Sequence, residues 1–432
     1  MPSVLIVSPH FPPVNAPDMH RARMLLPFLR ENGWEAEVLA VSPDQVAAPV
    51  DPWLVAGLPA DVPVHRVNAL GLEWSQIPGL GTLGLRALPA LAMAGDRLLA
   101  AAGFDLVYFS TTVFEVHILG SRWKRKFGVP FVMDYQDPWV NDYYAEHRDV
   151  VPPGGRLKYA LASALHRWME PRILRQCAGI TSVSPEYPRQ LARRYPWFRG
   201  IAQLVQGFPG AKRDFDRLQH TTMNSQKVRN GFNDGNLHWV YVGRGGADMA
   251  KAMRAIFMAL RNHAPAKLKQ RLKIHLLGTS YAAAGKGAKS LAPLATEFGV
   301  QHLVEEHPGR IPYSETLALL QQADALIVPG SDDAAYTASK IYPYLLAGKP
   351  LLAVFHERST VTELIRRVRG AVCVTFSDDD TDAAVAARVA EQWLDQERYC
   401  DVLPLDENAF RPFTDRGCAA ELTSFFRSCV LP

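Results

Sequence analysis

Short apolar runs alternate with longer amphipathic segments through most of the chain. VLIVS (4–8) and EAEVLAV (35–41) have the pattern of buried strands, and MHRARMLLPFLRENG (19–33) between them has a helical period that ends at a glycine. The cycle continues through PFVMD (130–134) and GITSVS (179–184). Apolar strands separated by helices indicate a parallel sheet that is covered on both faces.

A polar, glycine-bearing segment, residues 207–236, interrupts this alternation, which restarts at LHWVYV (237–242). A last amphipathic segment (414–430) has no strand after it, and we expect it to form a helix that crosses back to the first domain. The predicted fold class is therefore α/β, with two doubly wound Rossmann-like domains that face a cleft. The predicted parts are residues 1–206 as an N-terminal domain, 207–236 as a linker or insertion, 237–410 as a C-terminal domain and 411–432 as the crossover helix.

Composition narrows the class of protein. The 432 residues are 48% hydrophobic and 21% charged, which is typical of globular domains. The net charge of +4, with no dominant basic block, argues neither for nor against nucleic acid, and we predict no nucleic-acid partner. Five scattered cysteines without metal-ligand spacing favour a reduced, cytoplasmic protein without a metal site. No signal-peptide pattern opens the sequence. The apolar stretch around residues 77–101 is too interrupted to span a bilayer, but it could touch a membrane surface peripherally.

Ligands of doubly wound sheets bind beyond the carboxyl ends of the strands, so we searched the loops there. The sequence GRGG (Gly243, Arg244, Gly245, Gly246) follows a predicted strand and precedes a helix. Glycines let a backbone approach a phosphate closely, and Arg244 would add a fixed positive charge. The alternative is a tight turn with a solvated arginine. Gly278, which ends another predicted strand, is a further candidate for donor binding.

The stretch YTASKIYPYLLAGKP (336–350) presents hydroxyls and one lysine before an apolar helix. We expect Pro343 to lie in the first helical turn, where a missing N–H costs little, so that the preceding loop faces a ligand. Lys340 and Arg244 together would suit a diphosphate. The other candidates for donor binding in this loop are Asp332, Asp333, Thr337 and Ser339.

In the first domain, the loop HFPPVNAPDMHR (10–21) supplies His10 as a candidate acid or base and Asp18 as a helix cap, although a lone histidine is more often a packing residue. The loop MDYQDPWVNDYY (133–144) combines Asp137 with Trp139, a pairing suited to sugar rings and hydroxyls. Its alternative is an Asp-Pro turn with half-buried aromatic residues.

These features together resemble the GT-B glycosyltransferases, in particular the family 4-like group that uses nucleotide-activated sugars. The resemblance rests on two αβ halves, the GR turn at Arg244, the pattern S-K-x-x-x-Y-L-x-A-G-K-P from Ser339 and the pattern D-x-x-D-P-W that contains Asp137. It covers nearly the whole chain, excepting the predicted linker.

The resemblance implies an enzyme, a hexosyltransferase-type glycosyltransferase of polysaccharide biosynthesis, with a nucleotide-sugar donor and a glycan or lipid-linked acceptor. Arg244 and Lys340 would hold the diphosphate, so neither a metal nor another cofactor would be needed, and the anomeric configuration would be retained. Asp137 and His10 would be catalytic, and the acceptor would be bound by Asp18, His20, Arg21 and Trp139.

The chain also departs from the family pattern. Two glutamates that often bind the sugar and the ribose are replaced by Ala335 and Pro343, and Lys251 lies seven residues after Arg244 where the family often has a lysine at five. A catalytically degenerate scaffold that acts as a binding or partner subunit is therefore an alternative. A dinucleotide oxidoreductase is disfavoured, because no G-x-G-x-x-G follows the first strand.

Overall fold

The computed structural model describes residues 1–76, 81–140, 156–219, 232–280, 287–333 and 340–430. The chain divides into two compact units. Unit 1 comprises Met1–Pro209 together with Asp415–Pro432, and unit 2 comprises Gly210–Thr414. Both units contain a parallel sheet with helices, as the apolar pattern predicted.

Unit 1 contains a seven-stranded parallel sheet in the order β3-β2-β1-β4-β5-β6-β7. The order reverses between β1 and β4, which makes their carboxyl ends the place where a ligand of such a sheet binds. The strands are β1 Ser3–Val7, β2 Glu35–Val41, β3 Val64–Val67, β4 Leu106–Phe109, β5 Phe131–Tyr135, β6 Gly179–Ser182 and β7 Ala202–Val205. The helices are α1 Met19–Leu25, α2 Leu83–Ala101, α3 Ile118–Phe127, α4 Arg156–Leu174 and α5 Glu186–Arg194.

Two elements of unit 1 were not predicted as such. The edge strand β3 has apolar residues only at its two ends, Val64 and Val67, with two polar residues between them. This pattern is too short to predict a strand. Helix α2 covers most of the stretch around 77–101, and its side chains Ala87, Leu91 and Leu99 lie in the core of unit 1. The apolar residues that suggested membrane contact there are therefore largely core residues. None of the helices in the described part of the chain is long and apolar enough to cross a membrane.

Unit 2 contains a six-stranded parallel sheet in the order β10-β9-β8-β11-β12-β13. The strand order again reverses at β8, which is the first strand of this unit in the sequence. The strands are β8 Leu237–Val242, β9 Leu272–Leu277, β10 Val304–His307, β11 Ala325–Pro329, β12 Leu351–His356 and β13 Val372–Phe376. The helices are α6 Lys212–Gln219, α7 Ala250–His263, α8 Ala266–Arg271, α9 Ala292–Glu297, α10 Tyr313–Gln322, α11 Ile341–Leu346, α12 Thr360–Val368, α13 Asp382–Val389 and α14 Glu407–Phe410. Helix α6 lies within the segment predicted to be a linker.

The last helix, α15 Asp415–Val430, belongs to unit 1 although it follows unit 2 in the sequence. Leu422 and Phe426 are almost completely buried, and Phe426 makes edge-to-face contacts with Trp34 and Tyr108 at centroid distances of 5.4 and 5.0 Å. The predicted crossover of the C-terminal helix to the first domain is confirmed.

Candidate functional site

The carboxyl edge of the unit 2 sheet opens where β8 and β11 separate. These strands pair only as far as Val240 and Leu326, whereas β8 continues to pair with β9 through Val242. Tyr344 of α11 takes the place of the missing strand partner: its hydroxyl accepts from the Val242 N–H at 2.6 Å and donates to the Val242 carbonyl at 3.0 Å. The side chain thereby links α11 to the residue that precedes the glycine loop.

Lys340 lies at this opening, immediately before α11. Its Nζ donates to the Tyr241 hydroxyl at 2.6 Å and lies 4.9 Å from the centre of that ring, while the hydroxyl donates to the Arg244 carbonyl at 2.7 Å. Burial, with repulsion from Arg244, lowers the pKa of Lys340 to about 7 although Asp248 opposes the shift. An anionic ligand would favour the charged form, so this lysine is suited to binding one.

The glycine loop approaches these side chains closely. A Cβ atom at Gly243 would lie 2.6 Å from Nζ of Lys340, and one at Gly246 would lie 2.8 Å from Nη1 of Arg244. Glycine at these positions therefore gives room to the cations. The amides of Gly243 and Gly245 donate to the carbonyls of Leu277 and Thr279, so they extend the sheet and are not directed at a phosphate, which differs from the predicted role of the loop.

Arg244 forms a two-point ion pair with Asp248, a residue that the sequence analysis missed. The distances are 2.9 Å from Nη1 to Oδ1 and 2.6 Å from Nη2 to Oδ2. Burial favours the neutral acid, but Arg244 and Ser331 outweigh it, and the pKa of Asp248 is lowered. Asp248 is four residues after Arg244, and this spacing was the available signal for a pair. The guanidinium is thus held in a fixed orientation at the site.

The other predicted donor-binding residues are distributed around the same edge. Asp332 and Asp333 are exposed; the Asp332 N–H donates to the Asp248 carbonyl at 2.8 Å, and burial followed by repulsion from Asp248 raises the pKa of the Asp332 carboxyl. Gly278 has a φ of +68°, which favours glycine at the end of β9. Thr337 and Ser339 lie outside the described residues, as does Ala335.

Helix α11 confirms the reason given for Pro343. The helix begins at Ile341, so Pro343 is its third residue and its missing N–H removes no helical hydrogen bond. With only six residues the helix is short. The prediction of donor binding therefore rests on side chains and not on the amide groups at the start of α11.

Two further residues fix the loops at this edge. The buried carboxylate of Glu306 accepts from the Thr279 hydroxyl at 2.6 Å and from the N–H groups of Leu291 and Ala292 at 3.1 and 2.6 Å. Lys251 Nζ donates to the carbonyl of Ser377 at 2.7 Å, which gives this lysine a role in holding the loop after β13. No pattern in the sequence predicted either contact.

In unit 1, a histidine and an aspartate meet at the carboxyl ends of β1 and β4. Nδ1 of His10 lies 2.9 Å from Oδ1 of Asp18, whose other oxygen accepts from the Thr111 hydroxyl at 2.9 Å and from the Thr112 N–H at 3.0 Å. Burial favours the neutral acid, but the hydrogen bond and charge of His10 outweigh it, so the pKa of Asp18 is lowered. The carboxylate therefore orients the imidazole, and it makes no capping bond to α1, contrary to the predicted role.

Asp137 follows β5 at the same edge of the unit 1 sheet and has an exposed side chain. Partial desolvation, followed by repulsion from Asp18, nevertheless raises its pKa to about 6. A carboxyl group whose pKa lies near neutrality can accept a hydrogen bond from a hydroxyl or take up a proton.

Three residues predicted to bind an acceptor are engaged in other contacts. Arg21 is fully buried, with Nε 2.9 Å from Oδ2 of Asp134 and Nη2 2.6 Å from the carbonyl of Gln206. Trp139 is 3% exposed and stacks on Phe114 at 5.5 Å. These contacts give both residues a role in packing. His20 is half-buried on α1, beside Arg23.

Comparison with known proteins was made on both sequence and structure. Residues 20–205 match the family model described as the glycosyl transferase 4-like domain. No curated protein matches the chain.

Solved structures give matches over the whole chain. HepE from Anabaena, in complex with UDP and glucose, is 15% identical with a TM-score of 0.58, over 98% of this chain and 100% of its own. A glycosyltransferase from Rickettsia africae is 13% identical with a TM-score of 0.59, over 99% and 98%. WaaG, a glycosyltransferase of lipopolysaccharide biosynthesis, is 15% identical with a TM-score of 0.55, over 98% of each chain. At these identities the likeness shows the GT-B fold, and with the family match it confirms the predicted resemblance.

Proposed function

We propose that this chain, a glycosyltransferase of the GT-B fold, transfers a hexose-type sugar from a nucleotide-diphosphate donor to a glycan or a lipid-linked acceptor. The observation that carries the proposal is the pair of cations at the carboxyl edge of the unit 2 sheet. Lys340 is partly desolvated there, and Arg244 is held in place by Asp248. Each of these features favours the binding of an anion at the point where β8 and β11 separate.

The proposed donor site uses protein charges to stabilise the leaving diphosphate, without a metal ion. Preorganised cations act strongly where water is partly excluded, because they need no reorganisation as charge develops on the leaving group. Asp332 and Asp333 are exposed carboxylates at the same edge and would accept hydrogen bonds from the sugar hydroxyls.

The proposed acceptor site lies at the carboxyl edge of unit 1. Asp18 holds Nδ1 of His10, which leaves Nε2 as the nitrogen that can accept a hydrogen bond from an acceptor hydroxyl. Asp137 would accept a second one. For a lipid-linked acceptor, the protein would act in the cytoplasm at a membrane surface.

The stereochemical course we propose is retention, with His10 and Asp137 as residues that position the acceptor. The pair of His10 and Asp18 also has the form of a general base with its orienting carboxylate, which would serve an inverting transfer. The anomeric configuration of the first product, read by NMR before it can equilibrate, distinguishes the two.

A thermal-shift screen against UDP-, GDP-, ADP- and dTDP-linked sugars tests the donor site. We expect one nucleotide class to raise the melting temperature of the wild type, and we expect Lys340→Ala to lose that shift. Lys267→Ala is the matched control, because Lys267 is an exposed lysine of α8, a helix that leads into the opposite edge of the same sheet. A shift that survives in Lys340→Ala would contradict the assignment.

The degenerate scaffold makes a different prediction for the same proteins. It would show no turnover of any nucleotide sugar, with or without candidate acceptors, while binding another transferase. Release of free nucleotide by the wild type, abolished in Lys340→Ala and in Arg244→Ala, would exclude it.

A further inference from the structure

The residue before Asp137 is a glutamine whose side chain is buried at the carboxyl edge of the unit 1 sheet. Gln136 is 6% exposed, and its Nε2 donates to Oδ2 of Asp134 at 2.7 Å and to the backbone carbonyl of Asp18 at 3.0 Å. A longer contact joins Nε2 to Oγ of Ser110 at 3.3 Å. The two hydrogens of this amide therefore connect the end of β5 with the loop that precedes α1.

The neighbours of Gln136 determine which way round its amide lies. A carboxylate and a backbone carbonyl only accept hydrogen bonds, so the nitrogen faces Asp134 and Asp18. The oxygen Oε1 is directed away from them, and it is a buried atom without a hydrogen-bond partner among the described residues. Burying an unpaired acceptor costs free energy comparable to what a hydrogen bond gains. Stability alone therefore does not account for a glutamine here, and its two donated bonds point to a role in the site.

Both groups that accept from Gln136 are themselves fixed. Oδ2 of Asp134 also lies 2.9 Å from Nε of the buried Arg21, and Oδ1 accepts from the buried Thr181 hydroxyl at 2.7 Å. Asp18 is fixed by the bonds that its carboxylate accepts from the residues after β4. The amide of Gln136 therefore links two parts of the fold that each have a defined position.

We propose that Gln136 is a positioning residue, which sets the separation of Asp137 from Asp18. Asp137 is the next residue along the chain, so its backbone moves with that of Gln136, while Asp18 holds Nδ1 of His10. The charge of Asp18 already contributes to the raised pKa of Asp137, after the larger effect of burial. The inference rests on the proposed function, in which His10 and Asp137 both contact the acceptor.

The pKa of Asp137, read by carbon NMR of the carboxyl group in the protein without ligands, tests this positioning. We expect about 6 in the wild type. Gln136→Leu keeps a side chain of similar size but donates no hydrogen bond, so Asp137 should move away from Asp18 and into solvent. The pKa of Asp137 should then fall by about one pH unit or more, because both desolvation and repulsion decrease. Asp137→Asn identifies the resonance.

Control variants separate positioning from a general loss of stability. Thr181→Val removes the bond to the other oxygen of Asp134, so it should lower the melting temperature and leave the pKa of Asp137 unchanged. Gln203→Leu makes the same substitution at an exposed position of β7 and should change neither. Gln136→Asn retains the amide on a side chain one methylene shorter, and we expect a smaller fall in the pKa of Asp137. This variant tests the proposal should Gln136→Leu fail to fold.

Turnover gives a second measurement, made with the donor identified in the thermal-shift screen and with water in place of an acceptor. We expect Gln136→Leu to keep the rise in melting temperature that the donor produces. Its release of free nucleotide should be about tenfold to hundredfold slower than in the wild type, because a small displacement of a group beside the reacting atoms has an effect of this size.

Two results would overturn the proposal. The first is an unchanged pKa of Asp137 in folded Gln136→Leu, or an equal change in Thr181→Val. The second is nucleotide release by Gln136→Leu at the rate of the wild type. The pKa is measured without a nucleotide sugar, so a wild type that binds no donor would contradict the proposed function and leave the measured position of Asp137 unaffected.

Discussion

Lys340 is a cation whose charge depends on pH near neutrality. Its pKa of about 7 follows first from burial and then from Arg244. A nucleotide sugar carries a diphosphate that stays charged across this range, so binding it would draw a proton onto the lysine wherever the free side chain is neutral.

We therefore expect donor affinity to be constant below about pH 6 and to fall as pH rises through 7, by at most about tenfold per pH unit. Titration calorimetry of the donor identified in the screen, at several values between pH 6 and pH 9, measures this. The variant Lys340→Arg keeps its charge throughout and should show a flatter profile. Equal affinity of the wild type at both ends of the range would refute a role for the lysine charge.

Arg21 shows the opposite situation, a cation that is charged and fully buried. It pairs with Asp134 and donates to the carbonyl of Gln206. We expect Arg21→Met to lower the free energy of unfolding by about 3–5 kcal/mol, because it leaves a buried carboxylate without its partner. Denaturant unfolding of the variant measures the change.

Arg30→Met is the comparison for that experiment. Arg30 also makes two ion-pair contacts, with Glu35 and Asp61, but all three side chains are exposed, and we expect a much smaller loss because water screens exposed ion pairs. Similar losses in the two variants would show that burial of Arg21 has no energetic consequence.

Sequence reasoning at this scale located residues better than it assigned their contacts. His10, Arg244 and Lys340 follow strands or precede a helix, and the apolar pattern is sufficient to place them at a sheet edge. The burial of Arg21 and Trp139 depends on side chains distant in sequence, such as Asp134 and Phe114, and nothing local distinguishes them from surface residues.

Elements were predicted where a strong apolar period defines them. Strand β8 has the predicted bounds, because apolar positions mark both of its ends. Strand β3 was missed, since VHRV carries little apolar signal, and the interruptions within α2 hid a helix that covers the core. Pairing between elements, such as the early separation of β8 from β11, is a tertiary property that the pattern does not contain.

The separation of β8 and β11 makes Tyr344 important for the site as a whole. Tyr344→Phe would leave the N–H and the carbonyl of Val242 without the hydroxyl that both contact. We expect a loss of about 1–3 kcal/mol in the free energy of unfolding, together with weaker donor binding, because the link between α11 and the residue before Gly243 is gone. Denaturant unfolding and calorimetry measure the two effects.

The control for this variant removes an exposed hydroxyl. Thr316 Oγ1 donates to the carbonyl of Pro312 on the surface of α10, and Thr316→Val should cost less than about 0.5 kcal/mol and leave donor binding unchanged. Unaltered donor affinity in Tyr344→Phe would mean that the two loops do not depend on this bond.

At the scale of the molecule, α15 makes the stability of unit 1 depend on residues that follow unit 2. We expect Phe426→Ala to destabilise unit 1 by about 3–5 kcal/mol, because the ring is fully buried between Trp34 and Tyr108. Hydrogen exchange read by mass spectrometry should rise in peptides from Met1–Pro209 and stay unchanged in peptides from Gly210–Thr414. Ser424→Ala, at an exposed position of the same helix, should change neither. Equal changes in both units would contradict this division.

The placement of α15 also has a consequence for synthesis on the ribosome. Met1–Pro209 leave the exit tunnel while Gly210–Thr414 are still being translated, and the helix that completes their core does not yet exist. At a typical rate of about 5–20 residues per second, the nascent first unit waits on the order of 10–40 s with Trp34 and Tyr108 lacking their partner. A ribosome that stalls near the end of unit 2 would present a chain with an open core, which is the kind of surface that chaperones bind.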